Sequence, residues 1–194
     1  EAGYLNSLLD ICRTEKVDLL IPLFEPEFFL LDAGRPAFAE SGVCLLLSKR
    51  EVLEICQDKW KTYHFFTSCG FKTPTTWLKD TLPNNVSFPV FIKPLNGMGS
   101  RGAQKVDTVE QLEFVLRQNI DLLIQEFIQG IEYTLDVLAD LEGRVVSVVP
   151  RERLEVRAGE VSKSRTVYRE DLIAQGKRVV EKLGAIGPVT VQCI

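Results

Sequence analysis

The sequence has few of the residues on which several common kinds of protein chemistry depend. Its 194 residues include one histidine, one methionine, two tryptophans and five cysteines, and the formal net charge is -4. This acidic balance argues against the broad basic surface that a binder of nucleic acid or of an anionic membrane needs. Neither nucleic acid nor a membrane is therefore an expected partner, and any bound phosphate must be met by a few placed cations.

The cysteines and the histidine exclude further kinds of site. The cysteines stand at positions 12, 44, 56, 69 and 193, an odd number with no C-x-x-C pair. This spacing predicts free thiols in a reducing cytoplasm rather than a disulfide framework or a zinc site. His64 lies beside Tyr63 on a predicted helix, where a structural role is expected. With no apolar stretch of membrane-spanning length and no leader at the start, we expect a soluble, unsecreted protein.

The first part of the chain alternates between helical and strand patterns. Apolar residues at positions 5, 8, 9 and 12 have helical spacing, and residues 17–24 form a nearly continuous apolar run typical of a buried parallel strand. A helical pattern over 25–41, broken near Gly34, precedes a second apolar strand over 42–48 and a short helix. The pattern predicts an α/β unit that lacks its beginning.

From residue 58 onward, a helix is followed by short strands. Asp58 caps the predicted helix, which closes at Gly70. Strand patterns follow at 89–93, 103–106, 122–127, 132–140, 144–152 and 187–194. A Thr-x-x-Gln capping box at Thr108 opens an amphipathic helix, Gly143 lies in a hairpin turn, and a last helix ends at Gly184. The second part is thus predicted to mix helices and sheets.

Residues 97–102, GMGSRG, match the GxGxxG of a dinucleotide-binding turn. Such a turn needs a helix directly after the last glycine, because the N-terminal amides of that helix hold the pyrophosphate. Here a short strand pattern follows, and no Gly-Lys-Ser/Thr is present to form a Walker loop. We interpret the stretch as a glycine loop inside a hairpin, able to fold over phosphates. Lys93, at the end of the first strand, is a suitable point charge for them.

Several motifs in order give the chain a resemblance to the ATP-grasp superfamily, and within it to ligases of the carbamoyl-phosphate-synthase large-chain type. These motifs are Asp58-Lys59, PVFIKP, GMGSRG, IQEFIQGIEYTLDV, VVPRERLEVRAGE and GPVTVQC. The resemblance implies that residues 1–57 are the end of a Rossmann-like α/β domain that precedes the grasp. Residues 58–194 would be an incomplete ATP-grasp domain of the α+β kind, with a small lobe at about 75–128 and a larger lobe from about 129.

The resemblance also assigns residues to the phosphates of ATP. Lys59 and Lys93 would contact these phosphates from two different elements. The loop residues that would close over them are Gly97, Met98, Gly99, Ser100 and Gly102. Two cations and several backbone amides can together offset the charge of a triphosphate.

Further residues are assigned by the resemblance to the base, the ribose and the reacting groups. Glu126 would lie at the hinge between the lobes, its side chain or backbone near the adenine amino group, and Phe127 and Ile128 would supply backbone contacts. Glu132 would accept hydrogen bonds from the ribose hydroxyls. The cations placed near the transferred phosphoryl group or the acid substrate would be Arg151, Arg153 and Lys163. The alternative for this charged stretch is a solvated loop.

The implied chemistry is carboxylate activation. ATP would phosphorylate a carboxylate, carbamate or bicarbonate, and an amine or ammonia would then displace phosphate from the acyl phosphate. Mg²⁺ or Mn²⁺ would orient the γ-phosphoryl group, and Gln192 matches a position that supplies an oxygen ligand to the metal. The stronger ligands of the family, a Glu-x-Asn pair on the next strand, do not occur before the chain stops at Ile194. We therefore expect the natural polypeptide to continue.

Two other functions stay open at this stage. One is a nucleotide-binding module that senses or scaffolds without turnover. The other is an NAD(P)-dependent oxidoreductase, which requires a helix directly after Gly102. For the ligase, the expected partners are small-molecule carboxylate and amine substrates of undetermined identity, and a homodimer is left open.

Overall fold

The computed structural model describes residues 2–95, 102–118, 121–157 and 159–194. Its helices are α1 (Ala2–Thr14), α2 (Phe28–Ala33), α3 (Arg35–Glu40), α4 (Arg50–Gln57), α5 (Lys59–Ser68), α6 (Val109–Gln118) and α7 (Glu170–Leu183). Short 3-10 helices lie at Glu25–Glu27 and Lys79–Thr81. Its strands are β1 (Leu19–Leu20), β2 (Cys44–Leu45), β3 (Thr76–Leu78), β4 (Val90–Pro94), β5 (Gln104–Val106), β6 (Leu122–Glu126), β7 (Tyr133–Ala139), β8 (Val145–Arg157), β9 (Glu160–Thr166) and β10 (Gly187–Cys193). Among the helices described, none has the length and apolar character to cross a membrane.

The described strands form three sheets. β1 and β2 pair in parallel. A second sheet has the order β3-β6-β4-β5, with each pair antiparallel. A third has the order β10-β7-β8-β9, in which β8 and β9 are antiparallel. The mixed α/β architecture predicted from the sequence is confirmed.

The chain divides into two compact units. The first consists of the chain up to Leu53, Asp136–Val148 and Glu170–Val191. Its hydrophobic core contains Leu9, Cys12, Leu31, Phe38, Val43, Leu47 and Leu53. The helical spacing of the apolar residues in α1 is thus explained, because Leu9 and Cys12 both belong to this core.

The second unit consists of Glu54–Leu135, Val149–Arg169 and Gln192–Ile194. Its core cluster contains Val90, Ile92, Val106, Leu112, Leu122 and Ile124. These residues come from one face of the sheet β3-β6-β4-β5 and from α6. Every residue assigned a role by the family resemblance lies within the sequence ranges of this unit.

Local capping interactions fix where the helices of the second unit begin. The Oδ1 atom of Asp58 accepts hydrogen bonds from the backbone N–H groups of Trp60 (2.8 Å) and Lys61 (3.1 Å). At α6, the hydroxyl of Thr108 accepts from the N–H of Gln111 (3.3 Å), whose side chain accepts from the N–H of Asp107 (3.0 Å). Both predicted caps are confirmed.

The observed strands differ from the sequence prediction in two ways. The apolar runs at 17–24 and 42–48 yield only the two-residue strands β1 and β2, and Leu23, which follows β1, is 85% exposed. The strands β3 and β9 were not predicted. β9 is rich in polar residues and forms by backbone pairing with β8, which a hydrophobic pattern cannot reveal.

Candidate functional site

The glycine stretch belongs to a hairpin and not to a strand-to-helix turn. β4 and β5 pair in antiparallel fashion, with Ile92 opposite Gln104. Gly102 precedes β5 with φ +74°, and no helix begins between it and Val109. The dinucleotide-turn reading, and with it the oxidoreductase, is therefore wrong. The predicted loop residues Gly97, Met98, Gly99 and Ser100 lie outside the described residues.

Lys59 and Lys93 come close enough to affect each other's charge. Lys59 is the first residue of α5, and its Nζ donates a hydrogen bond to the carbonyl oxygen of Leu95 (3.3 Å). Burial, and to a smaller extent repulsion from the charge of Lys59, together lower the pKa of Lys93 from its usual value of 10.5 to about 8. Two crowded cations are the arrangement that a bound polyphosphate would relieve.

The register of the central strands shows which side chains share a face with Lys93. Lys93 lies opposite Leu123 and Phe91 lies opposite Gln125. Since directly opposed residues share a face and alternate residues along a strand do too, Lys93, Phe91 and Gln125 lie on one face of the sheet. The alternate residues of β4, Val90 and Ile92, belong to the core cluster on the other face.

Gln125, to which the sequence analysis assigned no role, lies on the same face as Lys93. Its side-chain Nε2 donates to the hydroxyl of Thr76 (2.7 Å), which in turn donates to the carbonyl oxygen of Pro74 (2.9 Å). This chain of bonds fixes the amide, and its Oε1 accepts no hydrogen bond from the described residues. The half-buried amide therefore carries an acceptor on the face of Lys93. The sequence alone does not place Gln125 on the face of Lys93, because this placement depends on the pairing of β4 with β6.

The side chain of Glu126 lies on the opposite face from Lys93. Glu126 ends β6 opposite the core residue Val90. Its Oε2 is 3.3 Å from the hydroxyl and 3.4 Å from the backbone N of Thr75, and its own N–H donates to the Thr75 carbonyl (2.8 Å). The contact with adenine implied by the resemblance, through the side chain or the backbone of Glu126, stays a prediction. Next along the chain, Phe127 is half-buried and Ile128 is exposed.

Glu132 and Arg153 form an ion pair. Oε2 of Glu132 lies 3.1 Å from Nε of Arg153, and the backbone N–H of Arg153 donates to the carbonyl oxygen of Glu132 (2.9 Å). The Arg153 side chain is only 6% exposed, and its Nη2 donates to the Gly159 carbonyl (3.3 Å). Nε makes no hydrogen bond with any residue that the structure describes, so its contact with Glu132 is charge attraction without aligned geometry. The buried hydroxyl of Thr134, two residues beyond Glu132, likewise has no hydrogen-bond partner within the described part of the chain.

The three predicted catalytic cations are not on one face. Arg153 lies opposite Ser164, and Nη1 of Arg151 donates to the hydroxyl of that serine (3.2 Å), so both arginines share a face. Lys163 neighbours Ser164 on β9 and therefore points to the other face. On that face, Arg165 pairs with Glu152 at 2.6 Å. The structure brings the two arginines together and leaves Lys163 apart.

The described residues offer few ligands for a metal ion. Gln192 lies near the end of β10 with an exposed side chain. Within the described ranges, no group of three or more His, Cys, Asp or Glu residues is arranged to hold a metal ion. Mg²⁺ prefers six oxygen ligands, usually including carboxylates and substrate phosphates. Gln192 fits such an ion only as one neutral member of a larger set.

Known proteins resemble the chain in sequence and in fold. The vancomycin/teicoplanin A-type resistance protein VanA of Enterococcus faecium is 30% identical over 126 residues, which are 61% of this chain and 37% of that protein. A carbamoyl-phosphate synthase of Methanobrevibacter smithii is 23% identical over 75% of this chain and 41% of its own length. A Campylobacter jejuni biotin carboxylase, solved as a β-γ-ATP complex, superposes on 97% of this chain and 48% of its own with TM-score 0.78 and 16% identity.

These relatives are all longer than the chain, which spans well under half the length of the two curated proteins. Residues 1–46 match the model of a PylC-like N-terminal domain, and residues 56–194 match the model of the ATP-grasp domain. The predicted boundary between residues 57 and 58 and the individual site roles stay predictions. With more than half of its residues matched by this second model, the chain belongs to the ATP-grasp family.

Proposed function

We propose that the chain carries the nucleotide site of an ATP- and Mg²⁺-dependent carbon-nitrogen ligase. The ligase activates a carboxylate, carbamate or bicarbonate as an acyl phosphate for attack by an amine or ammonia, in the manner of carbamoyl-phosphate synthases. The proposal includes the domain division at residues 57 and 58, small-molecule carboxylate and amine partners and a cytoplasmic location. A homodimer is compatible with it.

The crowding of Lys59 and Lys93 is the observation that carries this proposal. Burying one ammonium near another lowers its pKa to about 8, which costs free energy in the ligand-free protein. A polyphosphate placed against both ammonium groups supplies the missing negative charge. On the same sheet face, Oε1 of Gln125 can accept a hydrogen bond from an amino group of the base. Adenine has such an amino group at the position where guanine has a carbonyl.

The remaining residues would act on the ribose and the reacting groups. Glu132 is 54% exposed, so its carboxylate can accept hydrogen bonds from ribose hydroxyls while Arg153 holds it in place. Arg151 and Arg153 together would attract the γ-phosphoryl group or the acid substrate. Mg²⁺ would screen the phosphate oxygens and polarise the γ-phosphorus, with Gln192 as one of its ligands.

The reaction requires two transfers. A carboxylate oxygen forms a bond to the γ-phosphorus as the bond to the β-γ bridging oxygen breaks, and ADP leaves. The amine nitrogen then bonds to the acyl carbon, the phosphate leaves with the former carboxylate oxygen, and the nitrogen loses a proton. The contribution of the two arginines is to stabilise charge on the transferred group by preorganised donors.

A second function, an ATP- or ADP-binding sensor or scaffold without turnover, is favoured by one observation. Gln192 is a neutral and exposed ligand, and the described residues hold no group of three or more His, Cys, Asp or Glu arranged for a metal ion. With so weak a metal site, Lys59 and Lys93 would still bind a nucleotide while phosphoryl transfer would be slow.

Calorimetric titration with Mg-ATP, Mg-ADP, GTP and NAD tests the nucleotide site. We expect binding of the adenine nucleotides and a 10- to 100-fold weaker Mg-ATP affinity for Lys93→Ala, which is about 1.5–3 kcal/mol for a charge-assisted contact. Lys79→Ala is the matched control, since Lys79 is an exposed lysine of the 3-10 helix after β3. Equal affinities of both variants and the unchanged protein would contradict the assignment.

Oxygen transfer distinguishes the ligase from the sensor. Carboxylate substrates labelled with ¹⁸O pass one labelled oxygen to the released phosphate only if an acyl phosphate forms. We expect labelled phosphate from the full-length gene product with Mg-ATP, an acid and an amine. Nucleotide binding without any acid-dependent phosphate release supports the sensor.

A further inference from the structure

Lys105 is a second cation on the face of the sheet that carries Lys93. It lies opposite Phe91 in the pairing of β4 with β5, and Phe91 lies opposite Gln125 in the pairing of β4 with β6. Lys105, Phe91 and Gln125 therefore form one row across the sheet, two positions along β4 from Lys93. The family resemblance assigned no role to Lys105.

Among the described residues, the ammonium group of Lys105 contacts Asp107 and Phe127. Its Nζ lies 2.6 Å from Oδ1 of Asp107 and 5.3 Å from the ring centroid of Phe127. The second distance is within the range of a cation–π attraction. The ion pair with Asp107 is exposed on both sides and contributes little by itself. The contact with the half-buried Phe127 ring is therefore the more important of the two, because it can fix the position of that ring.

Phe127 stands at the end of β6, two residues after Gln125, whose amide is fixed by Thr76. Its ring centroid lies 5.3 Å from Nζ of Lys105, which shares a sheet face with Gln125 and Lys93. An aromatic ring of fixed orientation can stack on a nucleobase or wall it in, whereas a freely rotating ring would offer a less defined surface.

We propose that Lys105 is a positioning residue that holds the Phe127 ring beside the nucleobase, so that the affinity for adenine depends on both. This inference rests on the proposed nucleotide site and deepens it. The ammonium group contacts Asp107 and the Phe127 ring, so Lys105 acts through that ring on the base and not on the phosphates.

The number of phosphates in the ligand provides the test. Affinities for AMP, ADP and ATP are measured by titration for the unchanged protein, Lys105→Met, Lys105→Arg, Phe127→Leu and the Lys105→Met/Phe127→Leu double variant. Lys79→Met serves as the matched lysine control. We expect Lys105→Met to weaken all three nucleotides by the same factor, about 2- to 5-fold, because the base is common to them.

Two further results are expected. Lys105→Arg restores the affinity, since a guanidinium also stacks on an aromatic face. The double variant binds no more weakly than Phe127→Leu alone, because the two residues act through one interaction. A merely structural role for Lys105 would change the thermal midpoint of the ligand-free protein without this pattern of affinities.

Three outcomes overturn the inference. A loss that grows from AMP to ATP would mean that Lys105 contacts phosphates. Additive losses in the double variant would mean that Lys105 does not act through Phe127. Unchanged affinities in Lys105→Met would refute the positioning role while leaving the nucleotide site intact, whereas failure of the unchanged protein to bind any adenine nucleotide would refute both proposals.

Discussion

Glu132 and Arg153 are tied together twice, by a contact of 3.1 Å between Oε2 and Nε and by a backbone hydrogen bond of 2.9 Å. The family resemblance assigns Glu132 to the ribose and Arg153 to the phosphoryl end of the site. Because one carboxylate faces a guanidinium that is almost wholly buried, a change in either residue must alter the other. We therefore expect a change in one of these residues to affect the role that the resemblance assigns to the other.

The first prediction concerns the stability that this pair contributes. Glu132→Gln leaves the buried charge of Arg153 without its counter-ion, and we expect the free energy of unfolding to fall by about 1–3 kcal/mol. Glu113→Gln is the control, because Glu113 and Arg117 form an exposed pair at 3.2 Å and its loss should cost at most about 0.5 kcal/mol. Urea titration of both variants measures the two costs. Equal shifts of the two midpoints would refute the distinction.

The second prediction concerns the pH dependence of nucleotide affinity. Burial and the charge of Lys59 lower the pKa of Lys93 to about 8, so the ligand-free site loses its second positive charge above that pH. Bound phosphate favours the charged form, so the dissociation constant of ATP should rise by up to about 10-fold per pH unit above pH 8. Calorimetry at pH 7, 8 and 9 tests this. Lys93→Met should bind weakly with a flat profile over this range.

The third prediction concerns the stability of the ligand-free protein. The same lowered pKa of Lys93 that weakens nucleotide binding at high pH should make the folded protein more stable there. The unfolded chain has Lys93 near its ordinary pKa of 10.5 and therefore binds more protons than the folded chain between pH 8 and 10.5. The free energy of unfolding contributed by Lys93 consequently rises with pH through this window. The difference between the unchanged protein and Lys93→Met isolates this contribution from other titrating groups. A difference that is constant from pH 7 to 10 would contradict the assigned shift.

The sequence predicted much of the fold where local signals act, and less where pairing between distant strands decides. The cap at Asp58, the box at Thr108 and the hairpin around the glycine loop depend on neighbouring residues, and the structure confirms them. β9 depends on pairing with β8 and has no hydrophobic signal.

The same limit applies to the site. Lys59 and Lys93 could be identified as a pair from their motifs. The choice between Gln125 and Glu126 could not, because these two residues are adjacent in sequence and lie on opposite faces. Only the register that sets Gln125 opposite Phe91 and Glu126 opposite Val90 decides which side chain accompanies Lys93.

The fourth prediction tests that choice through base specificity. Gln125→Leu removes the Oε1 acceptor, and we expect ATP to bind about 10-fold more weakly while GTP changes little, so that the preference for ATP narrows. Gln125→Glu keeps an acceptor and should keep the preference. Glu126→Gln is the matched control, since its side chain contacts Thr75 on the other face. A larger loss of ATP affinity in Glu126→Gln than in Gln125→Leu would return the base contact to Glu126.

The last prediction concerns Gly102, the described residue that leads into β5. Its φ of +74° lies in the left-handed region, and a Cβ added there would lie 3.2 Å from Cγ of Pro94 on the paired strand. Gly102→Ala therefore adds backbone strain to a close contact with a rigid ring, and we expect the free energy of unfolding to fall by about 1–2 kcal/mol. Gly3→Ala provides the opposite case, because Gly3 is the second residue of α1 and an added Cβ meets no atom within 4 Å apart from its neighbours and the helix's own backbone. There the substitution should stabilise the protein by up to about 0.5 kcal/mol, since alanine has a higher helix propensity than glycine. Chemical denaturation of the two variants decides the matter, and a neutral Gly102→Ala would show that the hairpin tolerates a side chain at the entry to β5.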